Sequence, residues 1–163
     1  MTTFPGVYRG TVENNIDPMT KGRVQVSVPA IGAGRLNWAE VARPTAGDGV
    51  GFWVVPPIDA NVWVMFEAGD PEHPVVVGCS WGAKTPPASP ALPQVSMWKT
   101  DAVSLTLSDL PGGGLTIEVA PPAAQVPMKL VMGGAGIELS MGAAKIELSA
   151  TTVTVNGGAL EVM

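Results

Sequence analysis

Few residues in this chain stand at spacings that chemistry could use. Asp70, Glu72 and His73 crowd into "AGDPEHP", the one segment where metal-ligating types gather around the single histidine. Three ligands within four residues of a tight, Pro-bounded loop rarely converge on one ion, so the segment reads as a solvated turn. Cys79 ends the apolar run "PVVVGC". It could be a nucleophile only with a basic partner nearby, and a buried structural thiol is the expectation. Asp17 in "NNIDP" could share acid–base work with a second carboxylate, but turn formation ahead of Pro18 accounts for it more simply. Gly112–Gly114 is no phosphate loop, because neither a helix nor a Lys-Ser/Thr pair follows it. The five Trp residues could stack on sugars or bases. In so acidic a chain they read instead as core or subunit-interface packing. No catalytic residue, cofactor site or metal site is assigned, and the chain is expected not to be an enzyme.

The composition narrows the partners. At 163 residues the chain is one ordinary domain or two small ones. Gly 20 and Pro 16, with only 14% charged residues, favour turns between short strands over helices. A net charge of −5 and a pI of about 4.7 argue against nucleic acid, whose phosphates require a basic surface. The charge is uneven: residues 1–100 hold seven Lys/Arg against eight Asp/Glu, and residues 101–163 hold two Lys against six Asp/Glu. One cysteine makes no internal disulfide. No apolar run reaches the roughly 18 residues of a membrane span. "MTTFPGVYRG" lacks the basic start and apolar stretch of a signal peptide, so a soluble protein made in a cytoplasm is expected.

The elements that must position any function are short strands. "RVQVSV" alternates strictly, with Val24, Val26 and Val28 on one face. "NVWVMFE" does the same with Val62, Val64 and Phe66. "WAEVAR", "GFWVV" and "PVVVGC" add further strands, and no amphipathic helix interrupts them. So many strands within about 75 residues predict a small closed barrel over 1–82. Residues 83–100, rich in Pro, Ala and Ser, read as an extended connector, flanked by Trp81 and Trp98.

From 101 to 163 the texture changes. Val103, Leu105 and Leu107 share a face, as do Leu115, Ile117 and Val119. Then come Leu130/Met132, Ile137/Leu139/Met141, Ile146/Leu148, Val153/Val155 and Leu160/Val162. The step is two within a group and five between groups, so the chain must turn or bulge at each odd step to keep one face inward. The breaks fall at Gly133-Gly134, Gly142-Ala143, Ala150-Thr151 and Gly157-Gly158, where small residues permit a bend. A loose repeat of this kind does not bury its apolar face alone. Three copies wound together would place Leu130, Met132, Ile137, Leu139, Met141, Ile146, Leu148, Val153, Val155, Leu160 and Val162 on one axis. They would also pair each strand's edges with other chains. Met128, Met132 and Met141 would fill that axis rather than bind metal.

These residues resemble a known family. "NNIDPMTKGRVQV", "FWVVPPIDANVWVMFE" and "GDPEHPVVVG", in that order, resemble the oligonucleotide/oligosaccharide-binding (OB) barrel of phage baseplate assembly protein V and VgrG-type spikes of contractile injection systems. "VNGGALEV" resembles the end of that family's β-helix. The resemblance implies an all-β homotrimer: an OB-fold barrel (1–82), a Pro-rich connector (83–100) and an intertwined triple-stranded β-helical spike (101–163). It implies a central spike that caps the tail tube and punctures the target envelope. The chain would be assembled in a bacterial cytoplasm as part of a phage or phage-tail-like particle. The partners implied are tail-tube and hub proteins, a transiently touched cell envelope and a PAAR-type tip protein. No lysozyme domain stands between barrel and spike, and no His-x-His pair follows His73. A blunt end is therefore expected, with Gly157, Gly158, Leu160, Val162 and Met163 forming the tip-cap interface. A second reading keeps the trimer but makes the barrel a carbohydrate-binding module using Trp38, Trp53 or Trp63.

Overall fold

The computed structural model describes residues 2–162 and, for residues 33, 35, 161 and 162, the backbone alone. Among the described residues there is no α-helix; two short 3-10 turns, Pro29–Ile31 and Glu67–Gly69, interrupt an otherwise all-β chain. The chain divides into two compact units between Thr85 and Pro86.

The first unit contains β1 (Tyr8–Asn14), β2 (Val24–Val28), β3 (Ala33–Val41), β4 (Ala46–Gly47), β5 (Val50–Gly51), β6 (Asn61–Phe66) and β7 (Pro74–Ser80). Five of these close into a barrel in the order β1-β2-β3-β7-β6, with β6 returning to β1. β3 and β7 run parallel, and the other barrel neighbours are antiparallel. β4 and β5 form a separate small hairpin. The valines singled out by alternation fill the interior. Val24, Val26, Val28, Val62 and Val64, with Val12, Ala39, Val76 and Phe66, are each no more than 7% exposed. Branched side chains suit this setting, since each points off a pleated surface into a narrow barrel. Phe4 and Tyr8 pack edge to face and both rings lie tilted against Phe66, with ring centroids 5.5–6.3 Å apart.

The second unit contains β8 (Val95–Lys99), β9 (Val103–Ser108), β10 (Gly114–Val119), β11 (Met128–Gly133), β12 (Gly136–Met141), β13 (Ala144–Leu148), β14 (Val153–Val155) and β15 (Leu160–Val162). They form one eight-stranded sheet in chain order, every neighbour antiparallel. Part of the segment read as connector is therefore strand: Val95–Lys99 pairs with β9. A second correction concerns strand edges. The edges of β9 to β14 are satisfied by neighbours in the same chain and are not left for other copies. Among the described residues, the outer edges of β8 and β15 have no partner in the sheet.

The step of five has a simple origin. Met132 stands opposite Ile137, Leu148 opposite Val153, and Val155 opposite Leu160. Residues directly opposed across a hairpin share a face, so four intervening residues reverse the chain and parity along it ceases to matter. At Met141 the tight turn Gly142-Ala143 pairs Met141 with Ala144 and sets Ile146 against Leu139. Gly142, at φ +59°, takes the left-handed conformation this turn needs. All four expected breaks are hairpin turns.

Candidate functional site

The feature on which a function can be built is one face of the second sheet. Its register runs in unbroken rows. One is Leu105–Ile117–Leu130–Leu139–Ile146–Val155–Leu160, and the adjacent one is Leu107–Leu115–Met132–Ile137–Leu148–Val153, with Val162 next. Val103, Val119, Met128 and Met141 continue a third row. All eleven residues expected on a trimer axis thus hold register positions on a single face. The side chain of Val162 lies outside the described residues, as does Met163.

This face is open in the single chain. Met132, Ile137, Leu139, Met141, Ile146, Leu148, Val153 and Leu160 are between 36% and 60% exposed. Among the described residues, every fully buried hydrophobic side chain belongs to the barrel and none to this sheet. The face is dished around Met128, Leu139, Met141, Ile146 and Val155, enclosing an apolar cup of about 400 Å³. An apolar area of this extent on a water-exposed surface marks an interaction site.

The opposite face is polar apart from Met97 and Val131. It carries Ser104, Thr106, Thr116, Glu118, Lys129, Glu138, Ser140, Lys145, Glu147 and Thr154 at the alternate register positions. Lys145 bonds Glu147 at 2.9 Å, which lowers the Glu147 pKa and raises that of Lys145. Glu147 also accepts from the Thr154 hydroxyl, and Ser140 donates to Glu138. One face is dressed for water and the other is not.

The barrel residues weighed for chemistry fall elsewhere. His73 is exposed and its Nδ1 lies 3.0 Å from Asp70 Oδ2. Asp70 accepts from the Glu72 amide and faces His73, and both contacts lower its pKa. The segment is a solvated turn, and among the described residues no group of three or more His, Cys, Asp or Glu could hold a metal. Cys79 was expected to be buried; it is exposed. Pro74 and Val76 are buried on β7, whereas Cys79 lies beyond a bulge in the pairing with β6, opposite Val62 and next to the end of the strand, while partial burial still pushes its thiol pKa up.

Asp17 does more than start a turn. Its side chain is 2% exposed and pairs with Arg23 at 2.7 Å. Its oxygens also accept from the amides of Met19, Lys21 and Arg23. Arg23 first, and then these amides, hold the carboxyl well below the usual carboxylate range, against the opposing effect of burial. The β1–β2 loop is thus wrapped around one carboxylate. The alternation of residue types gave no sign of this; the six-residue Asp-to-Arg spacing across a turn was the available signal.

None of the tryptophans enters the barrel core. Trp63, Trp38 and Trp53 each face a guanidinium: Arg9 at 4.8 Å, Arg23 at 5.7 Å and Arg43 at 5.0 Å from the ring centre.

A five-stranded OB-type barrel followed by a sheet with one open apolar face defines a two-part, all-β class of chain. Residues 8–81 match the type VI secretion system/phage-baseplate injector OB domain. Residues 94–161 match the phage baseplate V C-terminal trimerisation domain. The chain belongs to this baseplate V and VgrG-type spike family. It is similar to the type VI secretion system spike protein VgrG4b of Pseudomonas aeruginosa, with 38% identity over 76 residues. That match covers 47% of this chain and 9% of the relative, so the chain spans a small part of that protein's length.

Proposed function

We propose that the chain is the trimeric central spike of a contractile phage tail or phage-tail-like injection system, and that its work is mechanical rather than enzymatic. Three copies place their apolar sheet faces together around an axis and leave the polar faces in water. The observation that carries this reading is the coincidence of eleven spaced apolar residues at register positions on one face with a match to a trimerisation domain over residues 94–161, which covers ten of them. Within each chain the antiparallel ladder supplies backbone hydrogen bonds, and the buried faces fuse three ladders into one stiff body. Such a body transmits axial force through an envelope without a chemical step. Assembly takes place in a bacterial cytoplasm, with tail-tube and hub proteins engaging the barrels.

Among the described residues, the outer edge of β15 has no neighbour in the sheet. A PAAR-type tip protein binds there, extending the ladder beside the turn at Gly157 and Gly158. The test is to purify the chain, measure its mass in solution and add a tip protein encoded alongside it. One tip per three chains is expected, lost when residues 158–163 are deleted although the trimer persists. A monomer of 16.7 kDa, or tip binding unchanged by the deletion, would overturn the reading. The three tryptophans proposed for a glycan module sit on different strands or loops, each with one ring face already covered by arginine.

A further inference from the structure

The barrel carries a second apolar surface that the trimerisation sheet does not explain. Three segments meet at one end of it: the β1–β2 loop, the segment between β5 and β6, and the chain's exit after β7. Asn15 donates to the Pro56 carbonyl, Asn61 donates to the Trp81 carbonyl, and the Lys84 ammonium bonds the Asp59 carbonyl. Ile16, Met19, Trp53, Ile58 and Trp81 are all exposed on these segments, Trp53 by 63%.

Trp53 is held in place. Arg43 lies over its ring and donates to the carbonyls of Val41 and Gly22. A side chain at Gly22 would lie 2.7 Å from the indole, so glycine admits the ring there. Met19 is displayed by the loop that Asp17 organises. A large aromatic ring fixed before binding loses little freedom on contact, which is the character of an interface anchor.

We infer that this exit end is where the barrels of one trimer contact each other, the occupant being a second copy of this chain. Two facts select that occupant. The patch lies at the end from which the chain leaves the barrel, and ten residues, Thr85–Gln94, tether that end to β8. Fully extended, they reach about 35 Å. Trimerisation through the second unit therefore holds three such patches at an effective concentration of order millimolar, where a modest apolar contact forms. The inference rests on the trimer proposed above and is tested separately from it.

The test uses the full chain with Cys79→Ser as background. Met19→Cys marks the exit end, and Glu72→Cys marks the β6–β7 loop at the other end. Each is treated with a short bis-maleimide, and mass in solution is measured before treatment. Covalent dimers and trimers are expected for Met19→Cys and only traces for Glu72→Cys. Adding Trp53→Ser to Met19→Cys should lower cross-linking to the Glu72→Cys level, with trimer mass and circular dichroism unchanged. A verified trimer in which Met19→Cys does not cross-link, or in which both positions cross-link equally, overturns the inference and leaves the trimer standing. Protection of Met19→Cys only by an added tube or hub protein overturns it too. A monomeric mass overturns both.

Discussion

Replacing Ile146 with Asp tests the apolar face most directly. Ile146 lies mid-sheet on β13, opposite Leu139 and Val155, and is 47% exposed in the single chain. Complete burial of an isoleucine is worth about 1.5–3 kcal/mol, so covering its exposed half in the trimer contributes about 1 kcal/mol per chain. Threefold symmetry makes that about 3 kcal/mol per trimer, or roughly a hundredfold in the association constant, from lost contact alone. The aspartate adds a buried, unpaired charge costing several kcal/mol per copy, with two like charges nearby. Together these exceed about 10 kcal/mol, enough to dissolve a micromolar trimer. Light scattering across a dilution series should show the variant at monomer mass where the parent remains trimeric. Glu147→Asp is the matched control, one residue away on the polar face, and should leave assembly unchanged. A trimeric Ile146→Asp variant, or equal loss in both variants, would refute the assignment of faces.

Three further outcomes are expected. Asp17 has a folded pKa depressed below its ordinary value, so its contribution to stability is complete above about pH 4 and is lost as pH falls through the folded value. Asp17→Asn should lower the barrel's melting temperature at pH 7 and flatten its acid limb, read by circular dichroism from pH 2 to 7; an unchanged acid limb would count against the Arg23 pair. Val26→Ala removes two carbons from a fully buried site and should cost about 2 kcal/mol, lowering the barrel's melting by roughly 10 °C while leaving the trimer intact. Residues 1–85 alone should fold as a monomer with concentration-independent melting. The full chain should show a second transition that rises with concentration, because folding of the sheet is coupled to association; a dilution-invariant transition would speak against that coupling.

The alternation in "RVQVSV" and "NVWVMFE" predicted the barrel core correctly, because a strand with one buried face must place its apolar residues two apart. The tail residues were legible for the same reason, and all eleven hold one face. Their connectivity was not. A step of five looks alike whether the chain bends onward into a shared helix or folds back as a hairpin. Only the turns distinguish the two, through local geometry such as the left-handed Gly142. The expected burial of Cys79 and a place for the tryptophans in the barrel core do not hold, because residue type does not fix position. Cys79 stands opposite Val62 beyond a β-bulge and next to the end of β7, where it is exposed, and indoles stacked on arginine are stable outside a core. The Asp17–Arg23 pair was hidden because loop residues carry no periodicity, and the loop's shape comes from the carboxylate it encloses.

The folded-back ladder changes what must hold three chains together. Had the strands interleaved, backbone hydrogen bonds between chains would have supplied much of the cohesion. Here β9 to β14 are paired within the chain, and the polar face keeps its ion pair of Lys145 with Glu147 to itself. What remains for association is apolar side-chain burial, which salt does not screen. Surface ion pairs, by contrast, are largely screened once the Debye length shrinks to about 3 Å at 1 M salt. The trimer should therefore persist, or tighten, between 50 mM and 1 M sodium sulfate, since excluded salts strengthen apolar burial. Urea should dissociate it together with loss of the tail's β signal and before the barrel unfolds. Light scattering and circular dichroism on the same samples separate the events. Dissociation by salt with the sheet intact would mean that charges, not the Leu130-to-Leu160 face, join the chains.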